Sequence, residues 1–348
     1  MELTLWRDDV VLARAVRAAG QHHDTRTRLY LRVEHDGVAG FGEVAPQPKA
    51  LHGDPGVQDV LDELTAILAP QLLAGARREG TAPSWRRLAR FAGPRAASPA
   101  AVALVEMALV DRELRAAGET ATSLWPRVLE TPIQATVSAL DDEPWSVGAA
   151  SRVRVKTAPG PISASARERL AGLDVGVLLD FNASASDADD VVAQALEVAA
   201  ACDLVAVEQP FAAGNLAEHA ALAHRLDVAV SLDEGIRTTR DLAQVARYSA
   251  ATMVCVKPAR VGGLANARTM FARAEELGLR AYLGGFFESA YARTVHRVLA
   301  EAGVREPSDI GPVARADAVP EVVAVAEAFG VTPSAAVLAG PGRALTGG

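Results

Sequence analysis

The sequence is poor in cysteine and in aromatic residues. Of its 348 residues only two are cysteine, Cys202 and Cys255, and each lies within an apolar segment. Two cysteines are too few for a disulfide framework, so we expect a reducing compartment and two buried thiols. Aromatic residues make up 5% of the chain and hydrophobic residues 50%. A large core must therefore be built mainly from Ala, Val and Leu.

The chain also lacks long apolar runs and an excess of basic residues. No run approaches the roughly 18 apolar residues that cross a bilayer. Residues 1–11 carry Arg7, Asp8 and Asp9 where a signal peptide needs apolar side chains. We therefore expect a cytoplasmic protein without a membrane partner. A formal net charge of −8 disfavours a nucleic-acid partner, which needs a basic face.

The N-terminal part has the pattern of a mixed α+β unit. Residues 29–34 alternate between apolar and polar side chains, and His35-Asp36-Gly37 supplies a hairpin turn before residues 38–43. Helical periodicity follows at residues 57–73 and at Pro99–Ala117. Prolines on either side of residue 130 indicate a domain boundary there.

Beyond that boundary, short β-rich runs alternate with Ala-rich helical stretches such as 189–201 and 264–277. The β-rich runs are residues 133–140, 151–157, 175–182, 203–210, 227–234, 252–258 and 280–289. Regular alternation of strand and helix predicts a (β/α) barrel. A doubly wound open sheet is the alternative. It favours a glycine-rich phosphate loop after the first strand, and the sequence has none there.

Charged residues lie at the ends of six consecutive β-rich runs. They are Lys156, Asp180, Glu208, Asp233, Lys257 and Glu288. One such residue is usually the first solvated position of a loop. Six in register would meet at the mouth of the barrel, where barrel enzymes carry their active sites. The pattern therefore predicts an active site.

Three of these residues, Asp180, Glu208 and Asp233, are carboxylates on successive strands. Carboxylates brought together repel one another unless a cation neutralises them. Hard oxygen ligands suit Mg²⁺, with Mn²⁺ as an alternative, so we predict a metal triad. Lys156 and Lys257 flank the triad and would face each other across a substrate. A lysine would remove the proton next to a carboxylate, while the metal stabilises the resulting enediolate.

Arg154 lies two residues before Lys156, so the two side chains point to the same side of the strand. The charge of Arg154 would favour the neutral form of Lys156 that a base requires. Two other interpretations of the pattern stay open. A lysine Schiff-base barrel enzyme leaves the three carboxylates unexplained. A non-catalytic metal-binding barrel gives the two lysines no task.

In this order, the motifs resemble those of the enolase superfamily and, within it, the muconate-lactonizing-enzyme subgroup. The resemblance spans nearly the whole chain and includes residues 40–46, Gly-Phe-Gly-Glu-Val-Ala-Pro. The barrel motifs are Arg154-Val155-Lys156, Leu179-Asp180-Phe181-Asn182, Val207-Glu208-Gln209-Pro210-Phe211, Leu232-Asp233-Glu234, Val256-Lys257-Pro258, Val261-Gly262-Gly263 and Gly284-Gly285-Phe286-Phe287-Glu288-Ser289. Arg154 stands where the family usually has lysine; it can tune Lys156 but cannot replace it as a base.

The resemblance implies an α/β fold, a (β/α)7β modified TIM barrel with an α+β capping domain. The capping domain would be residues 1–130, the barrel residues 131–312, and residues 313–348 a C-terminal segment that returns to the capping domain. Mobile loops at about residues 13–27 and 45–54 would close over the site. The supporting or substrate-binding residues are predicted to be Arg154, Asn182, Glu234, Glu288, Ser289 and Asp309.

The assignment of the chain to a branch of this subgroup depends on residues 307–312, Pro-Ser-Asp-Ile-Gly-Pro, and on Gly340-Pro341-Gly342. These resemble the branch that holds o-succinylbenzoate synthases and N-succinylamino acid racemases. The branch implies a Mg²⁺ enzyme acting on a small carboxylate. The leading hypothesis is the syn dehydration of o-succinylbenzoate synthesis, a carbon–oxygen lyase step of menaquinone biosynthesis.

Racemisation of N-succinyl- or N-acylamino acids and muconate-type cycloisomerisation are alternatives to this dehydration. The Asp-x-Asp that dipeptide epimerases carry on the eighth strand is absent, which disfavours that activity. His22 and His23, in the first predicted loop, are candidate substrate contacts, and His296 is expected to be a surface or packing residue. The exact substrate, its stereochemistry and the formation of a homo-oligomer stay open.

Overall fold

The computed structural model describes residues 1–18, 21–88, 97–137, 147–311 and 322–347, with the backbone alone for 13–18, 21–23 and 322. Within them the strands are β1 (Glu2–Ala18), β2 (Gln21–His35), β3 (Val38–Val44), β4 (Gln134–Val137), β5 (Arg152–Lys156), β6 (Gly176–Asp180), β7 (Leu204–Glu208), β8 (Ala229–Leu232), β9 (Met253–Val256), β10 (Arg280–Leu283), β11 (Val322–Ala324), β12 (Val331–Pro333) and β13 (Arg343–Ala344).

The described helices follow the same order along the chain. They are α1 (Val57–Glu63), a π-helical turn (Leu64–Leu68), α2 (Ala69–Glu79), a 3-10 turn (Trp85–Arg87), α3 (Pro99–Ala117), a 3-10 turn (Ala121–Ser123), α4 (Ala164–Ala171), α5 (Ala188–Ala199), α6 (Leu216–Ala223), α7 (Thr239–Tyr248), α8 (Pro258–Val261), α9 (Leu264–Glu276), α10 (Ala290–Glu301) and α11 (Ala335–Leu338). No helix in the described part of the chain is long and apolar enough to cross a membrane.

The N-terminal strands form an antiparallel sheet in the order β13-β1-β2-β3. The predicted hairpin between β2 and β3 is confirmed: Asp36 and Gly37 have φ angles of 54° and 74°, the left-handed conformation of two-residue hairpin turns. The predicted loop at residues 13–27 is wrong for the part that is described. There β1 and β2 continue as antiparallel paired strands whose register shifts between Val11 and Val16, because each strand supplies the hydrogen-bond partners of the other.

Helix α3 packs against this sheet and has the bounds that the sequence predicts. It begins after Ser98, whose hydroxyl accepts a hydrogen bond from a backbone amide of the first turn. A side chain at Gly40 or Gly42 would overlap the backbone of α3, so glycine allows the close approach of helix and strand. The helix predicted at residues 57–73 continues through one π-helical turn to Glu79.

Seven parallel strands form a curled sheet in the order β10-β9-β8-β7-β6-β5-β4. Each strand pairs with the next one along the chain, without the reversal of order that a doubly wound sheet has. The eighth predicted strand is reduced to two residues. Asp309 donates its amide to the carbonyl of Leu283 at 2.8 Å, and Ser308 accepts from the amide of Gln134 at 2.8 Å. These contacts join β10 to β4 and close a half-barrel sheet into a TIM-barrel-like fold.

The other strands lie within their predicted runs, and α5 and α9 match the predicted helices to within a few residues. Run 280–289 is the exception. Its strand ends at Leu283, and residues 284–289 form the loop into α10, which starts after the N-cap Ser289. Residues 138–140 of the first run lie outside the described residues. The C-terminal segment returns to the N-terminal sheet, where β13 pairs with β1. The domain boundaries at 130 and 312 stay predictions.

Strands of the barrel are buried on both faces, as expected of a parallel sheet covered by helices. Outward-facing residues such as Val177 and Leu179 pack in the cluster beneath the helices. The inward-facing cluster is small and consists of Leu178, Ala206, Met253, Cys255 and Tyr282. Cys255 is buried as predicted, whereas Cys202 is only half-buried; both are free thiols. The barrel interior therefore holds one thiol directly below the mouth.

Candidate active site

Five of the six charged residues that the sequence singles out lie side by side at the C-terminal edge of the barrel sheet. Lys156, Asp180 and Glu208 are the last residues of β5, β6 and β7, and their backbones pair in register. Asp233 and Lys257 directly follow β8 and β9. All five are at most 9% exposed. Burial at this depth strengthens every charge interaction among them.

Lys156 is fixed by the strand and turn beside it. Its Nζ donates to Asp180 Oδ2 at 2.8 Å and to Asn182 Oδ1 at 2.7 Å. The backbone amide of Asn182 donates to the other oxygen of Asp180 at 2.9 Å. Asn182 has a φ of 44°, a conformation that asparagine tolerates better than most residues. The turn therefore positions Asp180 and Lys156 together.

Lys257 has an equivalent partner on the other flank. Its Nζ donates to Asp233 Oδ2 at 2.8 Å and lies 4.6 Å from the centre of the Phe286 ring. Burial disfavours the charged amine, but the Asp233 carboxylate outweighs burial and raises the pKa of Lys257 above its ordinary value. The free Asp233 carboxylate therefore favours the ammonium form of Lys257. It could act as a base only if the charge of Asp233 were engaged elsewhere.

Glu208 lies between the two ion pairs and is fully buried. Burial, reinforced by the charges of Asp180 and Asp233, raises the pKa of Glu208 to about 8 against the opposing effect of Arg154. Tyr282 donates its hydroxyl to Glu208 Oε2 at 2.6 Å. Among the described residues, Glu208 Oε1 has no hydrogen-bond partner. A buried carboxylate oxygen without a partner is costly, and a cation would satisfy it.

Glu234 adds a fourth carboxylate to this edge. Its Oε1 accepts from Asn182 Nδ2 at 3.3 Å, while Oε2 has no partner among the described residues. Burial and the neighbouring charges of Asp233 and Asp180 raise the pKa of Glu234 to about 7. The edge therefore gathers four buried carboxyl groups, a donor set that fits a divalent cation.

The predicted metal triad is only partly assembled in this structure. Carboxylate oxygens of Glu208 and Asp233 and the thiol of Cys255 lie within 4.8 Å of one another. Asp180 is outside that group, and its oxygens accept hydrogen bonds from Lys156 and from Asn182. An oxygen-binding cation favours carboxylates over a thiol. Asp180, Glu208 and Asp233 therefore remain our predicted ligands for Mg²⁺.

Arg154 has partners other than the predicted one. Its guanidinium pairs with Glu208 at 3.2 Å and with Asp309 at 3.0 Å. Burial works against the ionised form of Asp309, but Arg154 outweighs it and lowers the pKa of Asp309 below its ordinary value. The structure thus connects Arg154 to the carboxylates of the barrel interior, and its predicted influence on Lys156 stays a prediction.

Two residues outside the predicted set position Asp233. Arg260, three residues beyond Lys257, donates Nη1 to the carboxylate of Asp233 and to its carbonyl oxygen, the latter at 2.9 Å. The same guanidinium forms a bidentate pair with Asp54, with contacts of 3.0 and 2.7 Å. Gln209 Oε1 accepts the backbone amide of Asp233 at 2.9 Å. Both residues lie within or beside quoted motifs, but only the fold reveals their partners.

Glu288 and Ser289 hold a loop rather than line the mouth. Ser289 caps α10, and its amide donates to Glu43 Oε1 at 2.6 Å, while its hydroxyl bonds the other oxygen of Glu43. Glu288 Oε2 accepts from the amide of Phe286 at 2.7 Å. A substrate contact by Ser289 is therefore not supported, because its hydroxyl is 0% exposed and already paired. His296 is buried, in agreement with a packing role.

The structure describes part of the two loops that were predicted to close over the site. The side chains of His22 and His23 lie outside the described residues. The second predicted loop, 45–54, is described and contacts the barrel through Asp54. Arg26 of β2 donates to the carbonyl of Phe286 at 2.9 Å, so the N-terminal sheet is hydrogen-bonded to the loop between β10 and α10.

A family model described as "Enolase C-terminal domain-like" matches residues 153–342, which hold the lysines and carboxylates at the mouth. The chain belongs to the enolase superfamily. Its curated relatives include an N-succinylamino acid racemase from an Amycolatopsis species, 29% identical over 85% of this chain and 81% of the relative. Another is the o-succinylbenzoate synthase of Geobacillus kaustophilus, 32% identical over 41% of this chain and 37% of the relative.

Solved structures of other proteins show the same fold. The N-succinyl Arg/Lys racemase from Bacillus cereus superposes with a TM-score of 0.82 at 15% identity, covering 99% of each chain. Muconate lactonizing enzyme from Pseudomonas putida superposes with a TM-score of 0.78 at 18% identity, covering 98% of this chain and 99% of that one. At these identities the likeness speaks for the fold alone. The predicted barrel with a capping domain is thereby confirmed.

Proposed function

We propose that the protein removes the proton α to the carboxylate of a small substrate, with Mg²⁺, or Mn²⁺ in its place, bound at the barrel mouth. The observation that carries this proposal is the pair of buried lysines on either side of Glu208, each 2.8 Å from a carboxylate. Two buried amines beside a cluster of carboxylates suit proton transfer next to a charge that must be stabilised. Membership of the enolase superfamily supports this chemistry.

The residues at the mouth fit a divalent cation, because Glu208 and Glu234 each leave a buried oxygen without a partner among the described residues. Asp180, Glu208 and Asp233 would hold the ion. When bound, Mg²⁺ supplies positive charge to the oxygens of the substrate carboxylate and so lowers the energy of the enediolate.

The two lysines have different roles in the proposal. Lys156 takes the α-proton, and its contacts with Asp180 and Asn182 fix the position of its Nζ. Lys257 acts as an ammonium and places a positive charge beside the oxygens on which negative charge accumulates. The raised pKa of Lys257 speaks against its being a Schiff-base nucleophile, which must be neutral to attack.

The specific reaction we propose is o-succinylbenzoate synthesis, the syn dehydration step of menaquinone biosynthesis. Lys156 removes the proton and returns it to the departing hydroxyl, which leaves as water, so one lysine serves one face. An ammonium at Lys257 agrees with this division. Relatives named o-succinylbenzoate synthase, including one from Bacillus subtilis 26% identical over 77% of this chain, give further support.

A second candidate is the racemisation of N-succinylamino acids. It is favoured by the similar setting of the two lysines, each hydrogen-bonded to one strand-end carboxylate. In a racemase each lysine serves one face of the α-carbon. Two relatives named N-succinylamino acid racemase match 85% and 83% of the chain, more than the relatives from Geobacillus named for the dehydration.

The two candidates are separated by assaying Lys156→Ala and Lys257→Ala on both substrates. For a dehydratase, Lys156→Ala abolishes dehydration of the cyclohexadiene precursor of o-succinylbenzoate, and Lys257→Ala impairs it severely. For a racemase, each variant loses exchange of the α-proton of one enantiomer of an N-succinylamino acid in D₂O. Rapid exchange of both enantiomers by the wild type, with this split between variants, would overturn the dehydratase assignment.

A further inference from the structure

The thiol of Cys255 lies in the barrel interior, immediately below the carboxylates of the mouth. Cys255 is on β9 and is 0% exposed, packed in the interior cluster beside Tyr282. A Cβ on Gly284 of the neighbouring segment would overlap its Sγ. The chain therefore leaves room for the sulfur at this position, and the sulfur is held within the interior of the barrel.

Three donor atoms of two kinds converge there. One carboxylate oxygen from Glu208, one from Asp233 and Cys255 Sγ lie within 4.8 Å of one another. Glu208 is fully buried, and its Oε1 has no hydrogen-bond partner among the described residues. Zinc binds sulfur at about 2.3 Å and oxygen at about 2.0–2.2 Å. The three atoms need to close by only on the order of an ångström to coordinate such an ion.

The ligand chemistry differs from that of the proposed magnesium site. Asp180, Glu208 and Asp233 offer oxygen alone, which suits hard cations. If Cys255 serves as the third ligand in place of Asp180, the set offers two oxygens and one sulfur. Such a set favours softer ions. Because Glu208 and Asp233 belong to both sets, the two sets would hold one ion at a time, Asp180 serving as third ligand of a hard ion and Cys255 as third ligand of a soft one.

We propose that Cys255, Glu208 and Asp233 form a binding site for a thiophilic divalent cation, Zn²⁺ or Cd²⁺, that is mutually exclusive with Mg²⁺. On binding, the thiol proton is released to solvent and the sulfur ligates as thiolate. The inference rests on the proposed function only in that the two sites share carboxylates. Its consequence is that soft metals inhibit the enzyme by removing two ligands from magnesium.

The test is a titration of EDTA-stripped full-length protein with Cd²⁺, followed by the ultraviolet charge-transfer band of a cadmium–thiolate bond. We expect the band to saturate at one equivalent in the wild type and in Cys202→Ser, which removes the other thiol. We expect Cys255→Ser and Cys255→Ala to lose it while keeping the wild-type circular dichroism. Excess Mg²⁺ should suppress the band.

The outcomes separate this inference from the proposed function. A wild type without the band, or a band that persists in both Cys255 variants, would overturn the soft-metal site. A band that no concentration of Mg²⁺ suppresses would overturn the sharing of ligands. Loss of magnesium-dependent proton exchange, with the cadmium band intact and suppressed by Mg²⁺, would count against the proposed function alone.

Discussion

Replacement of Arg154 by methionine should destabilise the protein strongly. Arg154 is 4% exposed and pairs with Asp309 at 3.0 Å and with Glu208 at 3.2 Å. Removing one partner of a buried ion pair costs about 3–5 kcal/mol, because the other charge stays buried without compensation. Glu208, with a pKa of about 8, is largely neutral at pH 7, so most of the cost arises at Asp309. We therefore expect about 3 kcal/mol.

The assay is urea unfolding of metal-free protein at pH 7, with Arg167→Met as the matched control. Arg167 pairs with Glu197 at the surface, and its side chain is 51% exposed, so its loss should cost at most about 1 kcal/mol. Arg154→Lys keeps a charge but not the planar fork that reaches both carboxylates, so it should fall between the two. Equal destabilisation by Arg154→Met and Arg167→Met would refute the reasoning.

The destabilisation caused by Arg154→Met should depend on pH with a definite sign. The pKa of Asp309 is lowered from its ordinary 3.8, so its ionised form contributes stability above that pH, and the contribution disappears as pH falls through the folded-state pKa. The difference between wild type and Arg154→Met should therefore shrink as the pH falls from 7, because the buried Asp309 carboxylate takes up a proton at a higher pH without Arg154 than with it. It should vanish once the pH lies below the folded-state pKa of Asp309 in the wild type, which is itself below 3.8. A difference that grows on acidification would contradict the assignment.

Three further predictions concern the metal, the loop and a glycine. Because the pKa of Glu208 is raised to about 8 from 4.5, Mg²⁺ binding should release a proton between these pH values. The affinity for Mg²⁺ should rise by up to about tenfold per pH unit up to pH 8. Calorimetry in buffers of different ionisation enthalpy measures both the affinity and the proton release. Asp54→Asn removes the buried partner of Arg260 and leaves it paired with Asp233. It should lower kcat/KM about tenfold in steady-state assays and also lower the melting temperature, because the lost ion pair is buried. Gly263 has a φ of 124°, and a Cβ there would overlap a buried carboxylate. In urea unfolding, Gly263→Ala should therefore lower the free energy of unfolding by about 1–3 kcal/mol. The free energy of unfolding of Gly172→Ala should stay within about 0.5 kcal/mol of wild type.

The barrel and the order of its charged residues follow from local sequence patterns. Buried parallel strands give short apolar runs, and the first polar residue after each run marks the mouth. Lys156, Asp180 and Glu208 could therefore be located without a structure, and the strands do end there. The eighth strand was harder to predict, because residues 308–309 are too few to give an apolar run.

The contacts that position the site could not be predicted in the same way. Arg260 and Asp54 are 206 positions apart, and Ser289 and Glu43 are 246 apart. No local period connects such residues, since the fold alone brings them together. The strand pairing within residues 13–18 and 21–27 could not be predicted for a related reason. The two strands pair with each other, although the sequence there has no clear apolar alternation.

The central claim is that the protein needs a divalent cation to remove a proton α to a carboxylate. The most direct measurement is exchange of that proton in D₂O, followed by NMR on the cyclohexadiene precursor of o-succinylbenzoate and on both enantiomers of an N-succinylamino acid. We predict no turnover or exchange by EDTA-treated protein, full recovery with Mg²⁺ or Mn²⁺, and none in Asp233→Asn at the same metal concentration. Turnover or exchange at the wild-type rate in metal-free buffer, or by Asp233→Asn, would contradict the account.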